Sequence, residues 1–259
     1  MPNFFHFLED INLSKPPLGE AWLEIKWNPK TSHSQYPFAL GVFREKVKGV
    51  FSTVVSLEQA NIPADLVPHV VRYKFEKVSD DYPVIQLGPA IASVNFTSPY
   101  SWKEFKNTAR YLRENLIQSF EQGIALEQLT LTYRNIIEFD YINKNLLDFL
   151  ESSLNIRLSF PKYVPGNVGS VSWPREINNL YIYELKQPVG KGQIRLATGK
   201  KITDEQPILL LDLIVTSSGV LDEYWASTST FTDWLENAHK VIHEWFFAFV
   251  QGNLYEDYL

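Results

Sequence analysis

Two long amphipathic segments, each standing last in its half of the chain, restrict the architecture more than any other sequence feature. The first runs over 102–122. Ser101 and Glu104 open it at the spacing of a capping box, in which the serine oxygen and the glutamate each satisfy a free backbone amide. Trp102, Phe105, Ala109, Leu112, Leu116 and Phe120 follow at steps of three or four, so one side is apolar. Gly123 stands where a left-handed C-terminal cap belongs. The second segment runs from about Phe231 to Val250, with Asp233 and Glu236 as caps and Gly252 just beyond it. Each helix must lay its apolar side on something, and what precedes each is strand-like.

Ahead of the first, "YKFEKVSDDYPVIQLGPAIASVNFT" reads as strands separated by "SDDYP" and "GP" turns, the Asp80–Asp81 pair being part of the former. Ala90, Ala92, Val94 and Phe96 alternate there with Ile91, Ser93 and Asn95. Ahead of the second, "LYIYELKQPVGKGQIRLATGKKI" reads as a hairpin and "PILLLDLIVTS" as a further strand. Each half also opens on a strand, "AWLEIKW" and "LTLTYRNIIEF". Short helices are predicted over 37–51 and 144–153, the first weakened by Gly41 and Gly49. The order strand, short helix, three strands, long helix thus occurs twice. It predicts an α+β chain of two tandem copies, 1–123 and 124–259, each an antiparallel sheet covered by its long helix. Sheets joined edge to edge would hide edges that otherwise invite aggregation. The Pro/Gly-rich run from Phe160 to Pro174 is long for a compact domain, which marks it as functional or mobile.

The bulk composition suits such a core. Of 259 residues, 45% are apolar, 21% charged and 14% aromatic, and a high aromatic share favours sheets and contact surfaces. A net charge of −6 argues against a surface that attracts nucleic acid or anionic lipid throughout. With no cysteine, disulfides, thiolate catalysis and cysteine-ligated metals are excluded. The start, "MPNFFHFLEDINLSK", has no basic region and carries Glu9 and Asp10 in its apolar run, so it does not read as a signal peptide, and the sequons at Asn12 and Asn95 read as accidental. No membrane segment is expected, and the expected location is the cytoplasm.

Motifs for chemistry fall short. Between Gly88 and the first long helix there is no lysine before Lys103 and no second glycine, and Pro89 and Pro99 remove amide donors, so the "LGPA" turn is no phosphate loop. In "VGKGQIRLATGKKI" Lys201 stands where a nucleotide loop needs Ser or Thr. That hairpin is nonetheless basic: Lys186, Lys191, Arg195, Lys200 and Lys201 occur with no acid between them. Lysines guarding a strand edge are the plain reading. A contact with an anion through Lys191, Arg195, Lys200 and Lys201 is the functional one, and 186–201 is the one region where nucleic acid would bind. His239 and His243 have the i, i+4 spacing of a metal pair, but no third ligand stands near and no Glu lies between them, so no metal or cofactor is expected. Asp212 interrupts "ILLLDLIV"; a bond to an arginine on a neighbouring strand, with Arg134 as a candidate, explains it more simply than catalysis. An enzyme built on Asp212, His239 and Arg134 needs all three in one cleft. Ser170 in "GNVGSVSW" lacks the second glycine of a nucleophile elbow.

The end of the last helix departs from a plain pattern. Phe247 falls opposite the stripe that includes Phe231, Trp234, Leu235, Ala238, Ile242, Trp245 and Phe246, so "EWFFAFV" is apolar nearly all round. Such an end is covered on both sides, by the chain itself or by another one. Phe247, with Trp245 and Phe246, is therefore the candidate interface, to a protein partner or to a second copy.

Taken together, "AWLEIKW", "YPVIQLGPAIASVNFTSPYSWKEF", "LTLTYRNIIEF", "LLLDLIV" and "AHKVIHEWFFAFV" resemble a sporadically distributed prokaryotic family of uncharacterised two-repeat α+β proteins, over nearly the whole chain. Glu20, Glu24, Gln86, Trp102, Phe105, Tyr133, Asn135, Ile137 and His239 match its motifs. Thr132 stands where the family often has a basic residue, with Arg134 two positions on. The resemblance implies relatives carried by mobile, defence or toxin–antitoxin loci and no established activity. The expectation is a non-enzymatic binding protein for a protein partner or itself. A rival reading is a helix-grip module with an apolar ligand in a cavity beneath a long helix.

Overall fold

The computed structural model describes residues 16–32, 34–78, 82–97, 99–159, 173–219, 221–250 and 254. The "SDDYP" turn at Asp80–Asp81, Ser170, Gly252, the N-terminal segment with Glu9, Asp10 and Asn12, and the loop up to 172 lie outside them. The described residues form nine strands: β1 (Leu18–Trp27), β2 (Thr53–Ser56), β3 (Tyr73–Glu76), β4 (Val84–Gly88), β5 (Ile91–Phe96), β6 (Leu126–Glu138), β7 (Asn178–Lys186), β8 (Val189–Lys200) and β9 (Pro207–Ser218). They form one antiparallel sheet in the order β2-β3-β4-β5-β1-β6-β9-β8-β7. The chain is α+β, and its sheet is wider than expected. Four strands, not three, stand between the short and long helices of the first half, because "TVVS" forms an edge strand beside β3. In the middle of the sheet β1 pairs with β6, where Leu23 faces Leu131 and Ile25 faces Leu129.

The helices are α1 (Pro29–Ser32), α2 (Tyr36–Val47), α3 (Trp102–Ser119), α4 (Leu146–Leu154), α5 (Asp222–Trp225) and α6 (Thr228–Val250). Of these, α2, α3 and α6 pack on one face of the sheet, and α4 and α5 pack on α6. The pairing registers put Phe75, Ile85, Val94, Leu23, Leu131, Val215, Gly192 and Tyr183 in one row on that face. Phe75 packs on Phe43 of α2, Phe96 on Phe105 of α3, and Tyr183 on Trp245 of α6. Trp27, Trp234, Phe43, Phe105 and Phe231 are fully buried in this layer. Gly192 is glycine because Trp245 lies on it: a Cβ there would stand 2.2 Å from the indole ring.

Ser101 caps α3 as expected, its Oγ accepting from the Glu104 amide at 3.4 Å. The start of α6 differs from the expectation. Asp233 and Glu236 sit inside the helix, which begins at Thr228. Its first turn is closed by Ser227 and Thr230, the Thr230 amide donating to Ser227 Oγ at 3.1 Å and the Ser227 amide to Thr230 Oγ1 at 3.2 Å. A Ser227→Ala substitution is expected to lower stability by about 1 kcal/mol, read from the urea midpoint, because it leaves a helix-end amide without its acceptor.

The opposite face of the sheet carries no helix among the described residues. Its central row runs Glu20, Arg134, Asp212, Arg195 across β1, β6, β9 and β8. No helix of the described residues is long and apolar enough to cross a membrane.

Candidate functional site

Helix α3 and helix α6 meet through polar side chains. Glu236 of α6 accepts from Trp102 Nε1 at 3.0 Å and from the Lys106 ammonium. Arg113 of α3 reaches Thr228 Oγ1 at 3.2 Å and lies over the Trp225 ring at 5.0 Å. One turn after Glu236, His239 stacks on Trp102, with ring centres 4.0 Å apart and planes 13° apart. The imidazole Nδ1 lies 2.8 Å from the Tyr133 hydroxyl of β6, which is in turn hydrogen-bonded to the Tyr100 hydroxyl just ahead of α3. These three rings form a chain of hydrogen bonds held between helix and sheet.

The chain closes one end of a cavity of about 250 Å³ beneath α6. Pro16, Pro17, Leu18, Ile242, Phe246 and Phe247 give it an apolar wall, and Asn135 and His243 complete the lining with the three hydrogen-bonded rings. Among the described residues, no Lys, Arg, Asp or Glu lines it. Asn135 is fixed by donating from Nδ2 to the Leu211 carbonyl at 3.1 Å.

Burial sets the charge state of this end. It pushes the His239 imidazole down to about 3, with His243 and Lys106 adding like-charge repulsion. It raises the Tyr133 phenol well above its usual value, and the Tyr100 phenol likewise. All three groups are therefore neutral near pH 7. A neutral imidazole has one donor and one acceptor nitrogen, and a phenol is both. The chain can thus run either way, Tyr100 to Tyr133 to Nδ1 or the reverse. Reversal exchanges which end offers a proton and which accepts one.

The residues singled out in the sequence divide between the two faces. Arg134 and Asp212 do pair, in register across β6 and β9: Nε to Oδ1 is 2.8 Å and Nη2 to Oδ2 is 3.1 Å. Arg195 stands 3.7 Å from Oδ2 on the other side, and Arg134 lies over the Trp22 ring. All of this is on the open face, whereas His239 lies under α6 on the covered one. The sheet separates them, so Asp212, Arg134 and His239 share no cleft. Phe247, expected at an interface, is buried within the chain at 3% exposure and packs on His243 and Phe246. The stripe His239, His243, Phe247, Val250 faces inward at this end, so the cover is intramolecular. Trp245 is laid over Gly192 and Tyr183, and Phe246 lines the cavity.

The basic hairpin is largely spoken for. Lys201 bonds Glu138 and Gln206, Lys200 lies 3.9 Å from Glu205, and Arg195 bonds Asn178 while facing Asp212. Lys191 sits in β8 opposite Thr216 and Glu184. Nor is β8 an edge, since β7 lies outside it. Tyr100 and Tyr133 were not read as functional from sequence. No local signal joins them: Tyr100 lies in the loop ahead of α3, Tyr133 in β6 and His239 in α6, and only the fold brings them together.

No family model and no curated protein matches the chain. Among solved structures it is similar to the di-domain ARO/CYC StfQ from the steffimycin biosynthetic pathway, at 10% identity, over 90% of this chain and 98% of that one. The TM-score is 0.22, and a likeness that slight carries no argument.

Proposed function

We propose that the chain is a binding module for a small, neutral, mostly apolar ligand, held in the cavity beneath α6. The observation that carries this reading is an apolar wall closed at one end by an uncharged hydrogen-bonding chain, with no Lys, Arg, Asp or Glu among the described residues of the lining. A charged ligand entering there loses its hydration without a counter-ion. A ring system bearing one hydroxyl or carbonyl keeps its polar atom paired, whichever direction the Tyr100–Tyr133–His239 chain adopts. The reading takes the helix-grip alternative over a protein partner, because the aromatic end of α6 is spent inside the chain. It includes the division into two copies, 1–123 and 124–259. In favour of that division, the opening strand of each half lies beside the last strand before its long helix, β1 beside β5 and β6 beside β9. Membership in the sporadically distributed family and a role in a mobile defence locus belong to the same proposal.

Isothermal titration with 2-naphthol, a bicyclic ring carrying one hydroxyl, tests the site. Saturable one-site binding is expected for the wild type. Leu18→Trp, which fills the cavity from β1, is expected to abolish it, and Tyr133→Phe to weaken it about tenfold by removing one hydrogen bond. Absence of saturable binding, or equal binding by Leu18→Trp, refutes the assignment.

A further inference from the structure

The two edges of the sheet are unlike. Strand β2 is four residues long, a short edge of the kind that resists pairing with another chain. Strand β7 is nine residues long and forms the other edge. Its middle is apolar and open on both faces: Leu180 is 53% exposed, Tyr181 40%, Ile182 55% and Tyr183 48%. No proline or lysine interrupts Asn178–Leu185, and among the described residues its backbone pairs on one side only, with β8. A strand of this length needs a partner for its outward amides and carbonyls, and those side chains need cover.

We infer that β7 is an isologous interface in which two copies of this chain pair edge to edge, antiparallel, about a two-fold axis through Ile182. The sequence of the strand selects that occupant and that register. Ile182 is the midpoint of Asn178–Lys186, so with Ile182 opposite Ile182 all nine residues find partners. Tyr181 then faces Tyr183 of the partner subunit twice on the helix-covered side. On the open side Ile182 faces its own copy and Leu180 faces the partner's Glu184. Lys186 falls opposite Asn178, and no like charges stand opposite each other. Moving the axis to Glu184 would set two carboxylates face to face. The pairing uses both exposed faces at once and joins the two sheets into one of eighteen strands, twice the nine of each chain.

Sedimentation velocity of the full chain from about 1 to 100 µM reads the association. The wild type is expected to pass from monomer to dimer within that range. An Ile182→Lys variant, which places two lysines opposite each other at the axis, is expected to weaken the dimer about tenfold or more. Because the chain has no cysteine, single cysteines map the register without disturbing the fold. Ile182→Cys should give a disulfide-linked dimer under mild oxidation, and Val55→Cys on the opposite edge should not. A wild type that stays monomeric at about 100 µM overturns the inference. So does a lysine variant that remains dimeric, or cross-linking through Tyr181→Cys and not through Ile182→Cys.

Discussion

Replacing Asp212 by alanine is expected to lower the unfolding free energy by about 3 kcal/mol, the lower end of the range for breaking a buried ion pair. The carboxylate is 2% exposed in the middle of β9, with Arg134 on one neighbouring strand and Arg195 on the other. Its removal leaves two guanidinium groups flanking an empty position, each having lost its anion. The Arg134 side chain keeps 34% of its surface in water, so it can turn outward and recover hydration, which holds the cost at the lower end. Asp212→Asn keeps one acceptor and should cost about 1–2 kcal/mol. Asp212→Leu combined with Arg134→Leu should recover most of the loss, since a packed apolar pair can replace a buried ionic one. Urea unfolding at fixed pH measures all three, with an unchanged slope as the check that only stability has moved. An Asp212→Ala midpoint equal to the wild type would remove the structural role assigned to this row. The cavity on the other face is then the sharper control: 2-naphthol binding at saturation should survive Asp212→Ala wherever the variant is folded.

How much of this was legible in the residues depends on the range of the interaction concerned. The alternation in "AWLEIKW" and "LTLTYRNIIEF" is local, and both appear as strands whose apolar rows point toward the helices. The stripe of α3 and its Ser101 cap are likewise set by neighbours within one or two turns. The start of α6 was misplaced because Ser227 and Thr230 form a less familiar version of the capping box, while Asp233 and Glu236 gave a stronger signal further in. Glu236 is instead taken by Trp102 and Lys106, more than a hundred residues away in sequence. The inward turn of Phe247 escapes the pattern for a related reason. A helical wheel treats the 23 residues of α6 as facing one surface, but its last turns look onto the cavity and not onto the stripe that holds Trp234. Arg134 and Asp212 could be proposed as mates because both interrupt strand patterns, yet only the register of β6 on β9 brings them together. The cavity and its ring chain could not be read at all, since Tyr100, Tyr133 and His239 come from three elements joined only by the fold.

Acid is expected to destabilise the wild type more steeply than a His239→Gln variant, by about 1.4 kcal/mol for each pH unit below 6.5. The sign follows from where the proton binds. His239 has its pKa lowered from 6.5 to about 3 in the folded chain, by desolvation first and then by His243 and Lys106. Above 6.5 the imidazole is neutral whether folded or unfolded, and it contributes no pH dependence. Between 6.5 and 3 the unfolded chain takes up the proton and the folded chain does not, so stability falls as the pH falls. Glutamine in its place can still accept from the Tyr133 hydroxyl but does not titrate. The carboxylates common to both proteins cancel in the difference. Urea midpoints of the pair at pH 7, 6 and 5 should therefore coincide in slope at the first value and diverge by about 2 kcal/mol at the last. Parallel curves would mean that the imidazole is already hydrated in the folded chain. In that case the wall of the cavity is wet and a neutral ligand has no reason to prefer it. The same titration therefore bears on the site as well as on the fold: a dry, uncharged His239 is what lets an apolar ring displace little and lose nothing on entering beneath α6.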